Sequence, residues 1–345
     1  PFAAVEIGRK LLPLLDEPER SSRAIHLGRV LLDAGDPRQA EILLEPVTRS
    51  MDTDLALIAS DVLCDVYENL GRGAEWSALV ERIRGRLPEA GTNGQQAAHC
   101  ALAMWSTSHG DDSTGLMAAE KALKLARTPA ESRRAAQRVA FSCLPSGALE
   151  RAAEAARQAL DASGGHPRMR ARSLRTLGVV RMWQGLTEEA ISHHEQVLAL
   201  ARWKGLSSRA ALALQDLGDS LRTSRRYAAA TERYAASIRA AEALDLGSTV
   251  YLVRFKLLLC EISVDPAADI HERIWAVTTP AVRAGLGLAT PFAHLLSSWA
   301  ASKQGEPERA REELEKARVL EQFTVDPQVP EIFRQIRESL DTELG

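Results

Sequence analysis

The sequence predicts an all-α solenoid, a stack of helical hairpins wound into a right-handed superhelix. Three observations carry that prediction: a glycine recurs at a near-constant interval, both halves of each interval show helical periodicity, and helix-start signals fall where the intervals place them. Fixed-period self-similarity of this kind is the sequence signature of repeat architectures.

The interval is measured at the turn between the two helices of each hairpin. Gly35, Gly71, Gly110, Gly147 and Gly185 are separated by 36, 39, 37 and 38 residues. Arg225 fills the slot 40 residues later, and Gly305 stands 80 beyond that, which is two intervals. The skipped turn falls near Asp265–Pro266, where the sequence has diverged.

Each interval opens with an apolar pattern of period 3.6. Leu174, Leu177, Gly178 and Arg181 follow i, i+3, i+4, i+7 in one first helix, and Ala190, His194 and Val197 continue on its partner. Small residues at Gly28, Cys64, Ala103, Ala140, Gly178 and Gly218 predict close helix–helix approach at one recurring position. Asp36–Pro37, Asp265–Pro266, Thr290–Pro291 and Glu306–Pro307 place a polar residue before a first-turn proline. Thr128-Pro-Ala-Glu131 has the form of a capping box, and Pro18, Pro88, Pro129 and Pro167 punctuate the passages between units.

In order along the chain, residues 1–18 read as a partial N-terminal repeat helix and 21–250 as regular repeats. Residues 251–290 form a degenerate repeat, 291–326 a last repeat and 328–342 a capping helix, giving about eight hairpins. Residues 2–15 lack a first-helix partner, leaving Phe2, Val5, Ile7, Leu11 and Leu12 incompletely covered. That predicts a further repeat or domain N-terminal to them in the parent protein. The stripe Ile332, Phe333, Ile336 and Leu340, with Arg334, Arg337, Glu338 and Asp341 outside it, suits a terminal helix with a polar outer face.

Composition narrows the function. The 345 residues carry 43 basic and 46 acidic side chains, a net charge of −3, which gives no general surface for nucleic acid or anionic membrane. Hydrophobic residues make up 45% of the chain, ordinary for a globular protein, and no apolar run is long enough to span a bilayer. There is no signal-peptide pattern, and the four cysteines lie far apart without a CxxC pair. The expected location is the cytoplasm, with the cysteines as buried small hydrophobes.

Candidate chemistry is sparse. His193 and His194 with the glutamates around them form a conspicuous cluster, but neighbours on a helix diverge by about 100° and do not readily chelate one ion. His194 also occupies the slot held by Leu44, Val80, Ala119, Ala156, Tyr234 and Leu314, which is an inter-helix packing position. Neither His194-Glu195 nor His271-Glu272 is followed by the second histidine of HExxH. A Walker lysine motif and a GxSxG elbow are both missing, and Gly285-Leu-Gly287 lacks the third glycine of a dinucleotide loop. The expectation is no catalytic residue, no cofactor and no metal.

The repeat resembles the tetratricopeptide repeat family. Leu214, Leu217, Gly218, Leu221, Ala230 and Tyr234 match its pattern in one unit, and Leu63, Cys64, Tyr67, Val80, Ile83 and Pro88 in another. Trp76 replaces the usual alanine there, so that turn must repack. The interval exceeds the 34-residue norm and is similar to a long-repeat subgroup in bacterial signalling and regulatory proteins.

The resemblance implies that first helices line a concave groove which binds partners. By register, the groove residues are Arg134, Arg138, Arg172, Arg175 and Arg222, with Asp61, Asp65, Glu68 and Asn69 on the same face nearer the N-terminus. Met104, Phe141, Met182, Trp183 and Trp299 interleave as apolar contacts. Arginines in PRMRARSLRTLGVVR crowd together, and a guanidinium's planar fork suits carboxylates, so a protein or peptide with acidic groups is the expected partner. The carboxylate clamp of chaperone-binding members has no counterpart, since its slots hold residues such as Asp61/Asp65 and Arg175/Val179. The expected role is a non-enzymatic interaction or scaffold module binding a peptide from a partner or its own parent chain. The alternative is a small-molecule effector sensor of a bacterial regulator, or of a signalling NTPase or kinase.

Overall fold

A computed structural model describes residues 2–70, 72–244, 246–283 and 289–321, with Ile336, Glu338, Leu340 and Asp341. Among them are seventeen α-helices and no strand. The chain divides into two compact units, Pro1–Ala213 and Leu214–Gly345.

In the first unit, α1 (Phe2–Leu11) precedes a series of antiparallel hairpins: α2 (Glu19–Ala34) with α3 (Pro37–Leu44), α4 (Thr53–Leu70) with α5 (Gly73–Arg86), and α6 (Thr92–Ser108) with α7 (Asp112–Leu125). Next come α8 (Pro129–Cys143) with α9 (Leu149–Asp161) and α10 (Pro167–Trp183) with α11 (Thr187–Lys204), followed by the start of α12 (Ser207–Thr223). The second unit holds the rest of α12 with α13 (Tyr227–Glu242), α14 (Gly247–Val264) with α15 (Ile270–Arg283), and α16 (Ala289–Lys303) with α17 (Pro307–Glu321).

The turns explain the interval. Gly35, Gly110, Gly147, Gly185 and Gly305 all have positive φ, between 71° and 91°, which closes the first helix and redirects the chain into the second. Arg225 does the same at φ 60°, the one non-glycine residue with positive φ among those described. Gly71 lies outside the described residues. Asp36 caps α3 by accepting from the Gln39 N–H at 3.0 Å, and Thr128 with Glu131 forms the complete capping box at α8. The expected start at Asp265–Pro266 moves: Asp265 is the C-cap of α14, and α15 begins at Ile270.

Close approach within each hairpin occurs between positions sixteen residues apart. A Cβ on Gly28 would lie 2.8 Å from the Leu44 side chain, and one on Gly178 would lie 2.5 Å from the His194 ring. One on Gly218 would collide with the Tyr234 ring. Where the first residue has a Cβ, as at Ala103 and Ala140, its partner shrinks to Ala119 or Ala156, and all four are buried. Among these pairs a large group stands at the second position only where the first is glycine, because a close-packed helix pair has no spare volume there.

Trp76 is accommodated by aromatic packing. Its ring meets Trp105 edge-on at 5.0 Å, and Trp105 stacks on His109 at 3.5 Å. All four cysteines are free thiols and buried. Ile7 and Leu11 are exposed, at 61% and 50%, while the side chains of Phe2 and Val5 lie outside the described residues. The capping helix over 328–342 lies largely outside them too, though Ile336 and Leu340 are buried in the second unit's core.

Candidate functional site: a charged inner face

First helices of the first unit bring their polar residues together across long stretches of sequence. Asp61 lies on α4, with 1% of its side chain exposed, and Arg134 on α8 reaches past α6 to it. Arg134 Nε donates to Asp61 Oδ2, and Nη2 donates both to Oδ1 at 2.7 Å and to the Asp61 carbonyl at 3.0 Å. Its Nη1 donates to Asp65 Oδ2 at 3.0 Å, and Arg138 Nη2 donates to Asp65 Oδ1 at 2.7 Å. On the intervening α6, the buried Cys100 lies close enough to feel both Asp61 and Arg134. Burial pushes the Cys100 thiol up to about 12, so it is a neutral packing group.

A second cluster closes the unit's own ends. Asp33 stands in the last turn of α2, where the helix dipole disfavours a carboxylate. Arg209 Nη2 on α12 donates to its Oδ1 at 2.8 Å, Arg172 Nε on α10 lies 3.3 Å from the same oxygen, and Ser208 Oγ donates to the Asp33 carbonyl at 2.8 Å. Burial works to raise the Asp33 carboxyl, but Arg172 and Arg209 outweigh it and hold it below the usual carboxylate range. At Asp65, Arg134, Arg138 and Arg172 likewise overcome burial and hold the carboxyl well down.

Two more charged groups, Arg29 and Glu68, feel this cluster. Glu68 is exposed, yet loss of hydration together with repulsion from Asp65 raises its carboxyl, and Arg29 is exposed while loss of hydration lowers its guanidinium.

The arginines expected to face a partner in surplus are therefore largely neutralised by Asp33, Asp61 and Asp65, from helices remote in sequence. Arg181 likewise lies 3.1 Å from Glu189. Arg175 is half-buried and interacts electrostatically with Glu68. Phe141, Met182 and Trp183 are half-buried, and Phe141 and Trp183 pack on the first unit's central core.

Three expected groove residues belong elsewhere, and Met104 is one of them, 5% exposed within a core of the first unit. Trp299 is 8% exposed within the second unit's core, because α16 is covered on both sides. Arg222 is 4% exposed in a buried polar cluster with Tyr234 and Asp219, in which Tyr234 donates to Asp219 Oδ1 at 2.7 Å. Lys256 Nζ donates to the other Asp219 oxygen at 2.8 Å, completing an ion pair with both partners under 5% exposed. His194 is fully buried against Gly178, and burial with Arg181 lowers His193.

Residues absent from the sequence reading are Arg29, Asp33, Arg133 and Arg209. Arg29 was within reach of the register: it follows Gly28 as Asp65 follows Cys64 and Phe141 follows Ala140. Arg209 has no local signal, since only folding brings α12 to α2.

Comparison with known proteins agrees with this architecture. Residues 169–243 match the tetratricopeptide repeat family, and no curated protein matches. Among solved structures, the chain is similar to a Rap protein complexed with competence and sporulation factor, at 15% identity and TM-score 0.71, covering 94% of this chain and 96% of that one. It is also similar to aspartyl phosphate phosphatase F from Bacillus subtilis (15% identity, TM-score 0.59, 96% and 94% covered). A third similar structure is NprR in complex with its cognate peptide NprX (15% identity, TM-score 0.56, 85% and 87% covered). Residues 169–243 thus carry tetratricopeptide repeats, and the chain as a whole shares the helical-hairpin solenoid fold of these structures.

Proposed function

We propose that the chain is a non-enzymatic recognition module of a larger bacterial signalling or regulatory protein, cytoplasmic, which binds a peptide segment of a partner or of its own parent chain on the inner face of the first unit. The observation that carries this reading is the charge balance of that face. Arg29, Arg133, Arg134, Arg138, Arg172 and Arg209 confront Asp33, Asp61 and Asp65, six cations against three carboxylates. Adding Arg175 and Glu68 leaves the surplus at three. Two similar folds, the Rap protein and NprR, were solved with a bound factor or peptide, which supports a peptide as ligand. No helix among the described residues is long and apolar enough to cross a membrane.

The test is capture of peptides from an array that varies acidic content. Acidic peptides should be retained, with binding weakening as salt rises, and Arg172→Glu with Arg175→Glu should abolish retention while circular dichroism confirms an intact fold. Unchanged retention by a folded double variant would remove the ligand from this face.

A further inference from the structure

Arg133 on α8 differs from its neighbour Arg134. It is 6% exposed, yet among the described residues its one hydrogen bond runs from Nη1 to Gln137 Oε1 at 3.1 Å, and its buried Nε meets no acceptor there. Gln137 is itself anchored, donating through Nε2 to Ser173 Oγ at 3.3 Å, and Ser173 donates to the Ala159 carbonyl at 2.9 Å. The Nη1 corner of Arg133 is thereby fixed, leaving the edge formed by Nε and Nη2 without a carboxylate. That is the edge which Arg134 turns to Asp61 and Arg209 to Asp33 in this same protein.

The surroundings of Arg133 are cationic. Burial pushes its guanidinium down to about 9, and Arg172, Arg134 and Arg29 repel it further. Asp33, which opposes them, is already engaged by Arg209 and Arg172. Arg29 makes no hydrogen bond or ion pair among the described residues and remains open to solvent. Since a guanidinium stays protonated in proteins, this arrangement holds a poorly compensated positive charge in place.

We propose that Arg133, with Arg29 at the approach and Arg172 beside it, forms an anion subsite that takes a carboxylate side chain of an acidic peptide. The proposal rests on the peptide-binding reading above and specifies where the ligand's charge is held. A carboxylate is the natural occupant because it matches the Nε/Nη2 edge side-on, as Asp33 and Asp61 already do on adjoining arginines. Arg29, long and accessible, would meet the ligand first, and Arg133 would hold it in a fixed orientation.

The experiment uses the full chain with two probes: an acetylated, amidated tetraglutamate peptide, whose charge is all in side chains, and inorganic phosphate. Binding is read by fluorescence anisotropy of a labelled peptide and by the shift in thermal midpoint. Wild type should bind the peptide, and Arg133→Met should lose at least tenfold in affinity while keeping or raising its midpoint without peptide, because an uncompensated buried charge is gone. Arg29→Met, at an exposed position, should weaken binding several-fold with no change in midpoint. Equal affinity of both variants and wild type for the peptide would overturn the subsite but leave the groove reading standing. Binding of phosphate without peptide would overturn the carboxylate assignment, and a lowered midpoint for Arg133→Met in buffer alone would make Arg133 a structural residue. Failure of wild type to bind peptides of any composition would instead remove the peptide reading itself.

Discussion

Arg134 holds Asp61 through a side-on pair of hydrogen bonds although 73 residues and a whole intervening hairpin separate them. Both side chains are nearly buried, and the same guanidinium also reaches Asp65. The pair therefore ties α4 to α8 across α6.

Removing one partner leaves the other charge stranded. Asp61→Ala should destabilise the chain by about 3–5 kcal/mol, the usual cost of an orphaned buried ion. Asp61→Leu combined with Arg134→Met should recover most of that loss, since apolar groups of similar size need no partner. Urea unfolding of Asp61→Leu, Arg134→Met and the double variant measures the coupling; simple additivity would mean that the pair does not act as a unit.

Gly178 and His194 share the space for one side chain. Gly178→Ala gains about 1 kcal/mol of helix propensity but incurs an overpacking cost of about 1–3 kcal/mol against a ring that is fully enclosed. Net destabilisation is expected, and His194→Ala in the same chain should reverse it, reproducing the Ala103/Ala119 and Ala140/Ala156 pairs found elsewhere. Thermal midpoints of the three variants decide the matter.

Arg225 adopts the left-handed conformation that five equivalent turns give to glycine. Relief of about 1–2 kcal/mol of backbone strain makes Arg225→Gly stabilising, partly offset by the greater freedom of glycine in the unfolded chain. An unchanged or lowered urea midpoint would contradict this.

Acid should destabilise the fold in two stages. Burial, then Lys121, lower the His99 imidazole to about 4 from its ordinary value of about 6.5. The unfolded chain therefore binds the extra proton first, and stability falls as pH drops from about 6.5 to about 4. Asp33 and Asp65 are held below their ordinary range. Their stabilisation is complete above the unfolded aspartate value of about 3.9 and is lost as pH falls below it. His99→Gln should flatten only the upper stage and Asp65→Asn only the lower, in urea midpoints measured from pH 7 to 2.

Much of this was legible locally. The turn glycines, the cap at Asp36 and the capping box at Thr128–Glu131 depend on residues within one helix turn, where spacing alone dictates geometry. Arg225 could be placed in a glycine slot because the interval required a turn there. The same interval put His194 in a packing slot, and it lies buried against Gly178. Register identifies first-helix faces but not their depth, so Met104, Arg222 and Trp299, expected on a surface, are buried. Arg133 escaped notice because its significance is the lack of a carboxylate around it, a property of neighbours on other helices.

Chain sequence by itself determined the hairpin repeat, its period, its turns and the recurring small residue where the two helices of a hairpin approach. Those features arise from interactions over one or two helix turns, or between adjacent helices joined by a short loop. Only tertiary structure decided which charges meet: Asp33 with Arg172 and Arg209, Asp61 and Asp65 with Arg134 and Arg138, and Arg133 with no carboxylate of its own. Such pairings span 69 to 176 residues. They depend on how the stacked hairpins of the first unit curve, and curvature accumulates small rotations between repeats that no single segment encodes.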